Sequence, residues 1–414
     1  MKKYLLITFS LIHSIYAAEY SMSGSIDNKL MSYLNNSSKN YGYYHQLRFE
    51  QKTKFNKDFI AVNQLRIKAL SLQEDIKNKI TPEKKDQFET YLGENYFRYQ
   101  LPSLTAQIGF QEIVWGEAFG FNYADIINPK DNRITFFNEQ SESRIPILLA
   151  NLKYFFSLGS IQLIWSPRPQ FSKTLPLDLF VGNTFSQSQI TVSKEKTPNL
   201  GSENDYGAKL SLGFEGLDLS FSYFNFLDRN PYYLLKNATL SELSLEEKHS
   251  RVNSYGISAA KTFFDFVFRT DFVVSQNKTY NYTSGLSLAN YQSNTKEILF
   301  GFDTPTWEKY TAYFIYAYKD QSTFLSNSLM PKKTDYVIAK ILRSMDNEKS
   351  FEISYTRELN EKANGIQMLL SLPVNSTTEL KFGAEAYIGE ENSNFSKLKK
   401  INNVFINLKN YFQL

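Results

Sequence analysis

The chain has 414 residues, 46 Lys and Arg against 42 Asp and Glu, and no cysteine. Disulfides, a thiolate metal site and a catalytic thiol are therefore excluded, and the near-balanced charge gives nucleic acid no footing. Aromatic residues make up 16% of the chain, 28 Tyr and 34 Phe among them, while mean hydropathy is −0.39. That pairing points to a membrane β-barrel, whose strand residues face lipid and water alternately between aromatic girdles.

Lys2 and Lys3, the apolar run Tyr4 to Ile15 and the small residues Ala17 and Ala18 follow the order of a secretory signal peptide, residues 1–17, cleaved after Ala17. The run is too short for roughly 30 Å of hydrocarbon, and His13 interrupts it. Residues 18–414 then form a single domain. They hold no stretch of about 18 or more apolar residues, so insertion must be by strands.

Period-two alternation places strands near 19–34, 42–54, 58–73, 88–101, 104–114, 146–157, 160–166, 204–214 and 217–227. Further strands fall near 250–262, 264–276, 293–305, 308–319, 333–344, 349–359, 363–373, 376–387 and 402–414. In the penultimate segment Leu380, Phe382, Ala384, Ala386 and Ile388 share one face, and Glu379, Lys381, Glu385 and Tyr387 the other. Likewise Phe264, Phe266, Phe268, Phe272 and Val274 oppose Asp265, Arg269 and Asp271. Segments 308–319 and 333–344 are apolar or aromatic on both faces, so alternation alone does not orient them. Short connections such as Asn56-Lys57, Pro102-Ser103 and Glu215-Gly216 alternate with connections of about 7, 14, 31, 37, 22, 15, 13, 3 and 14 residues, as periplasmic turns and outer loops do. The fold class is all-β, a transmembrane antiparallel barrel of about 18 strands, within roughly 16 to 20. A soluble sandwich of this length needs a linker between two domains, and no Pro/Gly/Ser-rich boundary or internal repeat is present.

The inward faces can be read off the same alternation. Gln46, Arg48, Glu50 and Lys52, then Gln64, Arg66 and Lys68, then Glu94 and Arg98 make a net basic sector. Asp218, Asp265, Arg269, Asp271, Glu352, Glu379, Lys381 and Glu385 make an acidic one. Arg48, Arg66, Lys68 and Arg98 are the expected basic side of a pore. The alternative is that these charges pair across neighbouring strands and keep the wall rigid and hydrated. Either way the lumen holds water, because so many charges are costly in a dry one.

The first long loop, 115–146, is the most distinctive segment. Trp115, Gly116, Glu117, Asp125, Asn128, Pro129, Asp131, Arg133, Arg144 and Pro146 combine charges with turn-forming residues. Such a loop can fold into the lumen as a constriction, with Glu117, Asp125, Asp131, Arg133 and Arg144 as selectivity candidates, or stay outside held by ion pairs. Its Trp115-Gly116, Asp125-Ile126-Ile127-Asn128-Pro129-Lys130-Asp131 and Arg144-Ile145-Pro146, followed by Trp165-Ser166-Pro167, resemble a proteobacterial outer-membrane family of unknown function with the signature W-G…D-x-x-N-P-x-D…R-x-P. The resemblance implies a porin-like barrel of unassigned substrate and carries over no catalytic residue. The last strand, Val404, Ile406, Leu408, Asn410, Phe412 and Leu414, resembles the signal read by the barrel-assembly machinery, with Leu where Phe or Trp is usual.

After signal removal only His45 and His249 remain, the first in a lipid-side register and the second in a charged loop, both read as interfacial or solvated. Neither stands beside a nucleophile motif, so no enzymatic activity is expected. The acidic residues of 241–247 and 202–205 lack calcium-loop spacing, and no metal or other cofactor is implied. The sequence therefore reads as a bacterial outer-membrane channel for small polar solutes, in contact with lipid and lipopolysaccharide. The alternatives are a closed barrel that binds partners through loops near 167–203 and 228–249, and the outlet of an export system. An energised receptor is disfavoured by the lack of a plug domain and by the strand count.

Overall fold

The computed structural model describes residues 19–34, 41–71, 87–116, 121–133, 143–173, 189–238, 242–284, 287–390, 393, 395 and 398–414. The signal segment and Glu117 lie outside the described residues. The first strands are β1 (Glu19–Tyr33), β2 (Tyr41–Lys54), β3 (Phe59–Ser71), β4 (Gln87–Leu101), β5 (Leu104–Gln111), β6 (Ile147–Phe156) and β7 (Gly159–Ser166). Next come β8 (Gln189–Ser193), β9 (Asp205–Phe214), β10 (Leu217–Leu227), β11 (Tyr232–Ala238), β12 (Glu242–Lys248), β13 (Arg251–Phe263) and β14 (Phe266–Ser284). The last are β15 (Ser287–Asp303), β16 (Tyr310–Gln321), β17 (Lys333–Ser344), β18 (Ser350–Glu358), β19 (Ala363–Asn375), β20 (Thr378–Ile388) and β21 (Asn403–Gln413).

Eighteen of these strands form one antiparallel sheet in chain order, with β7 beside β9 and β10 beside β13, and β1 pairs with β21 to close it into a barrel. Each corresponds to a segment that alternation predicted. Closure satisfies every ladder edge within the wall, which is what a barrel in hydrocarbon requires. No helix among the described residues is long and apolar enough to cross a membrane.

Ladder partners share a face, so register assigns the two surfaces. The sequence of partners Asp27, Gln46, Lys68 and Glu89 runs along one face of β1 to β4. The opposite face carries exposed Ile26, Leu47, Leu65, Phe97, Ile108 and Leu163. An apolar band of this extent needs lipid or a partner over it. At 18 strands, with a tilt near 40° and strands about 4.8 Å apart, the barrel backbone is roughly 36 Å across. Inward side chains cannot fill such a width.

They are nevertheless buried towards the end where the long loops lie. On β18, Glu352 near a short turn keeps contact with water while Glu358 is fully buried, and on β20 Glu379 and Lys381 contrast in the same way with Glu385 and Tyr387. The inner face is therefore covered in its long-loop half and open in its short-turn half.

Three strands lie outside the wall. β11 pairs antiparallel with β12, and β8 adds in parallel. Their small core of Tyr233, Leu243, Leu245, Val192 and Leu235 rests on Leu288 and Leu329, beside the β14–β15 hairpin. That hairpin runs to Ser284 and Ser287, beyond the segments ending at 276 and starting at 293 that alternation predicted. Asn281 fixes the two units together, accepting from Tyr233 N at 2.8 Å and donating to Tyr233 O at 2.7 Å. The loops near 167–203 and 228–249 thus contribute an ordered outer sheet. Asp265 is not an inward wall residue: Phe264 and Asp265 both have positive φ, 47° and 65°, and form a two-residue hairpin turn.

At the seam, Gly24 of β1 lies opposite Phe412 of β21 and Phe49 of β2. A Cβ there would sit 2.3 Å from the Phe412 ring and 2.4 Å from Arg48 O. Gly24→Val is expected to cost about 1–3 kcal/mol by overpacking and to lower the temperature at which the folded band converts in heat-modifiability gels. Gly213→Ala, which meets only Asp218 Oδ1 at 3.7 Å, is expected to leave that temperature within error.

Candidate functional site

The segment joining β5 to β6 lies against the inner face. Strand β5 ends at Gln111, so 112–114, predicted as strand, belong to this segment. Trp115 is buried among the inward residues Ile147, Leu149, Ile164, Phe224 and Val252. Its Nε1 donates to Gln162 Oε1 at 3.0 Å, and its ring meets Phe224 edge-on with centroids 5.9 Å apart. Gly207 makes the space: a Cβ there would come within 3.0 Å of the Trp115 ring and 2.8 Å of Phe224.

The signature residues hold the segment's own shape. Gly116 has φ +91°, and a Cβ would lie 2.3 Å from Asn122 Oδ1, so only glycine fits. Asn128 is a three-way staple: Oδ1 accepts from Ile113 N at 2.7 Å, and Nδ2 donates to Gln111 O and Ile145 O, both at 3.0 Å. The buried Asp125 carboxylate receives Arg144 at 3.0 Å and Lys130 at 3.2 Å. Pro129 O accepts from Ile145 N at 2.8 Å. Pro146, which has no N–H to leave unpaired, is buried where β6 begins.

Further contacts fasten the segment around the wall. Glu112 pairs with Arg66 of β3 at 2.7 Å. Arg133 spans Asp131 at 2.8 Å and Glu89 of β4 at 2.9 Å, and Lys68 stands 3.9 Å from Asp131. Arg229, buried beyond β10, donates to Ile127 O at 2.8 and 3.0 Å and pairs with Asp205 at 2.7 Å. Phe121 and Tyr123 pack on Leu299, Ile315, Ala317, Tyr336 and Ile338 of β15 to β17. From β5 to β16 is eight steps round the eighteen-strand ring, close to diametrically opposite. The segment therefore reaches across the lumen. Its docking explains why 308–319 and 333–344 are apolar on both faces: one face is exposed outside and the other receives Phe121 and Tyr123.

A second segment turns inward between β20 and β21. Phe395 and Leu398 are buried against Ala363 and Tyr387, and Phe395 lies 6.1 Å from the Tyr336 ring. Phe121 lies 6.3 Å from the same ring, so the two segments meet at Tyr336. The sequence reading did not single out these residues; the signal was one phenylalanine in the polar run 391–397.

The expected basic side of the pore is divided. Side-chain exposure is 40% for Arg48 but 5% for Arg66 and 4% for Lys68. Arg66 and Lys68 hold the inserted segment and do not line an open pore. Arg98 stays on the open half, donating to Tyr96 OH at 2.8 Å. Within the predicted acidic sector Glu352 pairs with Lys340 at 2.7 Å and Glu379 with Lys381 at 3.3 Å, and the sector's Arg269 pairs with Asp303 at 2.9 Å.

Burial alone would raise the Asp131 carboxyl, but hydrogen bonding and charge from Arg133, with Lys68 and Lys173 nearby, outweigh it and hold Asp131 below its ordinary value. His249 is not solvated. It stacks on Phe171 with centroids 3.4 Å apart, and Nδ1 lies 2.7 Å from Asp228 O. Burial pushes its pKa down to about 4, Arg229 and Lys248 act in the same direction, and Asp228 offsets them only in part. His45 keeps its outward register beside Asn28, with Nδ1 2.9 Å from Asn28 Oδ1. The acidic run at 242–247 is strand β12, with Glu246 between Lys236 and Lys248. No group of three or more His, Asp or Glu suited to a metal ion occurs among the described residues.

No family model and no curated protein matches the chain. Among solved structures the chain is similar to Salmonella typhi OmpF in complex with daunomycin, at 11% identity over 96% of this chain and 98% of that one, with a TM-score of 0.52. An OmpT of Vibrio cholerae lacking loop L8 matches at 8% identity over 96% and 100%, with a TM-score of 0.45. A Rh. blastica porin variant matches at 8% identity over 96% and 100%, with a TM-score of 0.43. The likeness to OmpF shows the fold alone: a closed antiparallel β-barrel similar to that of OmpF.

Asn128→Ala strips partners from a buried N–H and two carbonyls, at a local cost of about 2 kcal/mol or more. Proteolysis within 112–146 is expected to accelerate while the barrel stays heat-modifiable. For His249 the folded pKa lies below the ordinary 6.5, so its contribution to docking is complete above about pH 6.5 and is lost as pH falls through about 4. Amide exchange of 167–173, corrected for intrinsic pH dependence, is expected to rise over that window in the native chain. In His249→Phe, which keeps the stack without the proton, it is expected to stay flat.

Proposed function

We propose that the chain is an outer-membrane channel for passive diffusion of small polar solutes, with the 112–146 segment as its constriction. The observation that carries this reading is the division of the lumen. One half is a wide, charged, water-accessible vestibule, and the other is narrowed by a chain segment anchored on opposite sides of the wall. Flux through such a barrel is governed by the gap that the segment leaves. The apolar outer band suits lipid, with lipopolysaccharide around the loops, and export would proceed through the signal at 1–17 and the barrel-assembly machinery. The reading includes no catalytic step and no cofactor, since His249 is engaged in packing and His45 faces outward.

One observation favours a second reading. Inward residues of the long-loop half are buried on β1, β3, β10, β13, β15, β18 and β20, and the outer sheet stands at the same end. A barrel that conducts only when 112–146 or 389–402 moves aside would have that character, as would a closed barrel whose outer sheet binds a partner.

Single-channel recording in planar bilayers distinguishes these. The native chain is expected to open stepwise, and a variant with 117–142 replaced by a short Gly-Ser linker, checked for folding by heat-modifiability, is expected to conduct several-fold more. A silent native chain with a conducting variant would favour the gated reading. Silence from both folded proteins would overturn the channel.

A further inference from the structure

The outer face of the wall changes character at its upper margin on β15 to β18. Glu297 pairs with Lys319 inside the barrel, Tyr336 packs against the inserted segment, and Glu358 is fully buried on the inner face. Alternation therefore turns Lys296 of β15, Lys333 of β17 and Arg357 of β18 outward, and all three are exposed. Lys296 lies opposite Asp320 of β16, and Asp320 opposite Lys333, so two cations stand two strand spacings apart in one ladder row, about 10 Å. Rows climb towards the long-loop end from β14 to β1. One begins at Val267 beside a short turn, passes Asp303, Tyr313, Lys340, Ser354, Gln367, Glu385 and Asn403, and reaches Tyr33. Arg357 lies opposite Val337, below Lys333, and this climb raises it to about the level of Lys296.

That level is the edge of the apolar band. From Tyr310 to Asp320 on β16, and from Arg343 to Lys333 on β17, the strands rise about 25 Å at roughly 3.3 Å per residue and a tilt near 40°, which is the height of such a band. Arg343 over the Tyr310 ring, 5.5 Å from its centroid, marks the lower margin. At the upper margin of neighbouring strands the outward residues are amides, Asn225, Asn253 and Gln276. The carboxylates among the three cations are half-buried: Asp320 has Oδ1 buried, and Asp335 Oδ1 accepts from Asn360 N at 3.2 Å. The cations reach away from the wall while the carboxylates stay against it.

We infer that Lys296, Lys333 and Arg357 form a seat for the phosphate groups of a phosphorylated glycolipid, the lipopolysaccharide of an outer leaflet. The inference rests on the outer-membrane location proposed for the chain and not on conductance. A cation at the edge of hydrocarbon keeps its charge by reaching water or an anion. Lipid phosphate is the anion at that depth, and Arg meets it through two parallel N–H donors while Lys meets it as a point charge. The three cations span three strand spacings, about 14 Å, which suits a headgroup carrying more than one phosphate. Below them Ile298, Phe300, Tyr316 and Val337 face outward in register and offer the acyl chains an apolar and aromatic surface.

The test takes the full-length barrel in non-ionic detergent with EDTA, so that no divalent ion links lipid to carboxylates, and measures rough lipopolysaccharide retained through gel filtration. The native chain is expected to retain it saturably, and to hold its dephosphorylated form or phosphatidylglycerol at least about tenfold more weakly. Lys296→Gln with Lys333→Gln and Arg357→Gln is expected to weaken retention at least about tenfold, with heat-modifiability unchanged. Should that triple variant not fold, Lys333→Gln alone carries the test, with an expected loss of about fivefold. Lys54→Gln with Lys309→Gln removes two cations at the short-turn end and is expected to leave retention within error. Equal retention by the native chain and a folded seat variant would overturn the inference, as would equal affinity for phosphatidylglycerol or an equal loss in the short-turn variant. Flotation with lipid vesicles separates the other failure: a folded barrel that stays out of bilayers would remove the membrane location on which the inference rests.

Discussion

Width is the constraint on which the rest of this molecule depends. A ring of 18 strands sets opposite backbones roughly 36 Å apart, and inward side chains cannot meet over that distance. Buried groups on the inner wall must therefore be covered by chain that the wall itself does not supply. The 112–146 segment does most of this work and 389–402 adds to it. The positions of Gly207, Tyr336 and Arg229 make sense only as seats for those segments.

The manner of attachment has consequences for electrostatics. A segment crossing water-filled space has little apolar area for anchorage, so it relies on the buried Trp115 and the partly buried Phe121 as wedges and on charged pairs for position. Arg66 with Glu112, and Arg133 between Asp131 and Glu89, are desolvated pairs, and removal of one partner is costly because the other is left buried and uncompensated. These charges are consumed by structure. Those that remain open to water lie in the other half of the barrel, where pairs such as Arg48 with Glu50 and Lys340 with Glu352 form along the strand or across the ladder. The anchoring charges and the water-facing ones are thus separated along the barrel axis, and a change to one set need not disturb the other.

The outer sheet follows a similar logic on a smaller scale. β11 and β12 bury only a few apolar side chains, too few for independent stability, and they stand because the extended β14–β15 hairpin and Asn281 hold them. The His249 stack on Phe171 ties the segment after β7 to the turn between β12 and β13. The segment after β7 is bonded in turn to the inserted one, since Ser172 Oγ accepts from Lys130 N at 3.0 Å. The mouth is therefore one connected network.

The wall was legible in the sequence because its information is local: Phe272 facing one way and Asp271 the other is decided by a period of two, and each of the eighteen ladder strands was found this way. Residues 308–319 and 333–344 resisted, because a face that receives an inserted segment is as apolar as one that faces lipid. Composition likewise indicated a barrel before any pairing was known. What the sequence could not decide is which partner each charge takes. Arg66 and Arg98 look alike in an alternating strand, yet one is buried under Glu112 and the other faces water, because a segment distant in sequence covers only the first. The signature residues were visible as a cluster, but their roles, with Gly116 making room for Asn122 and Asn128 stapling three backbone groups, exist only once the segment is folded against the wall. Short-range alternation determined the barrel; the path of the chain through its interior, fixed by contacts up to a hundred residues apart such as Arg229 with Ile127, was decided by tertiary structure alone.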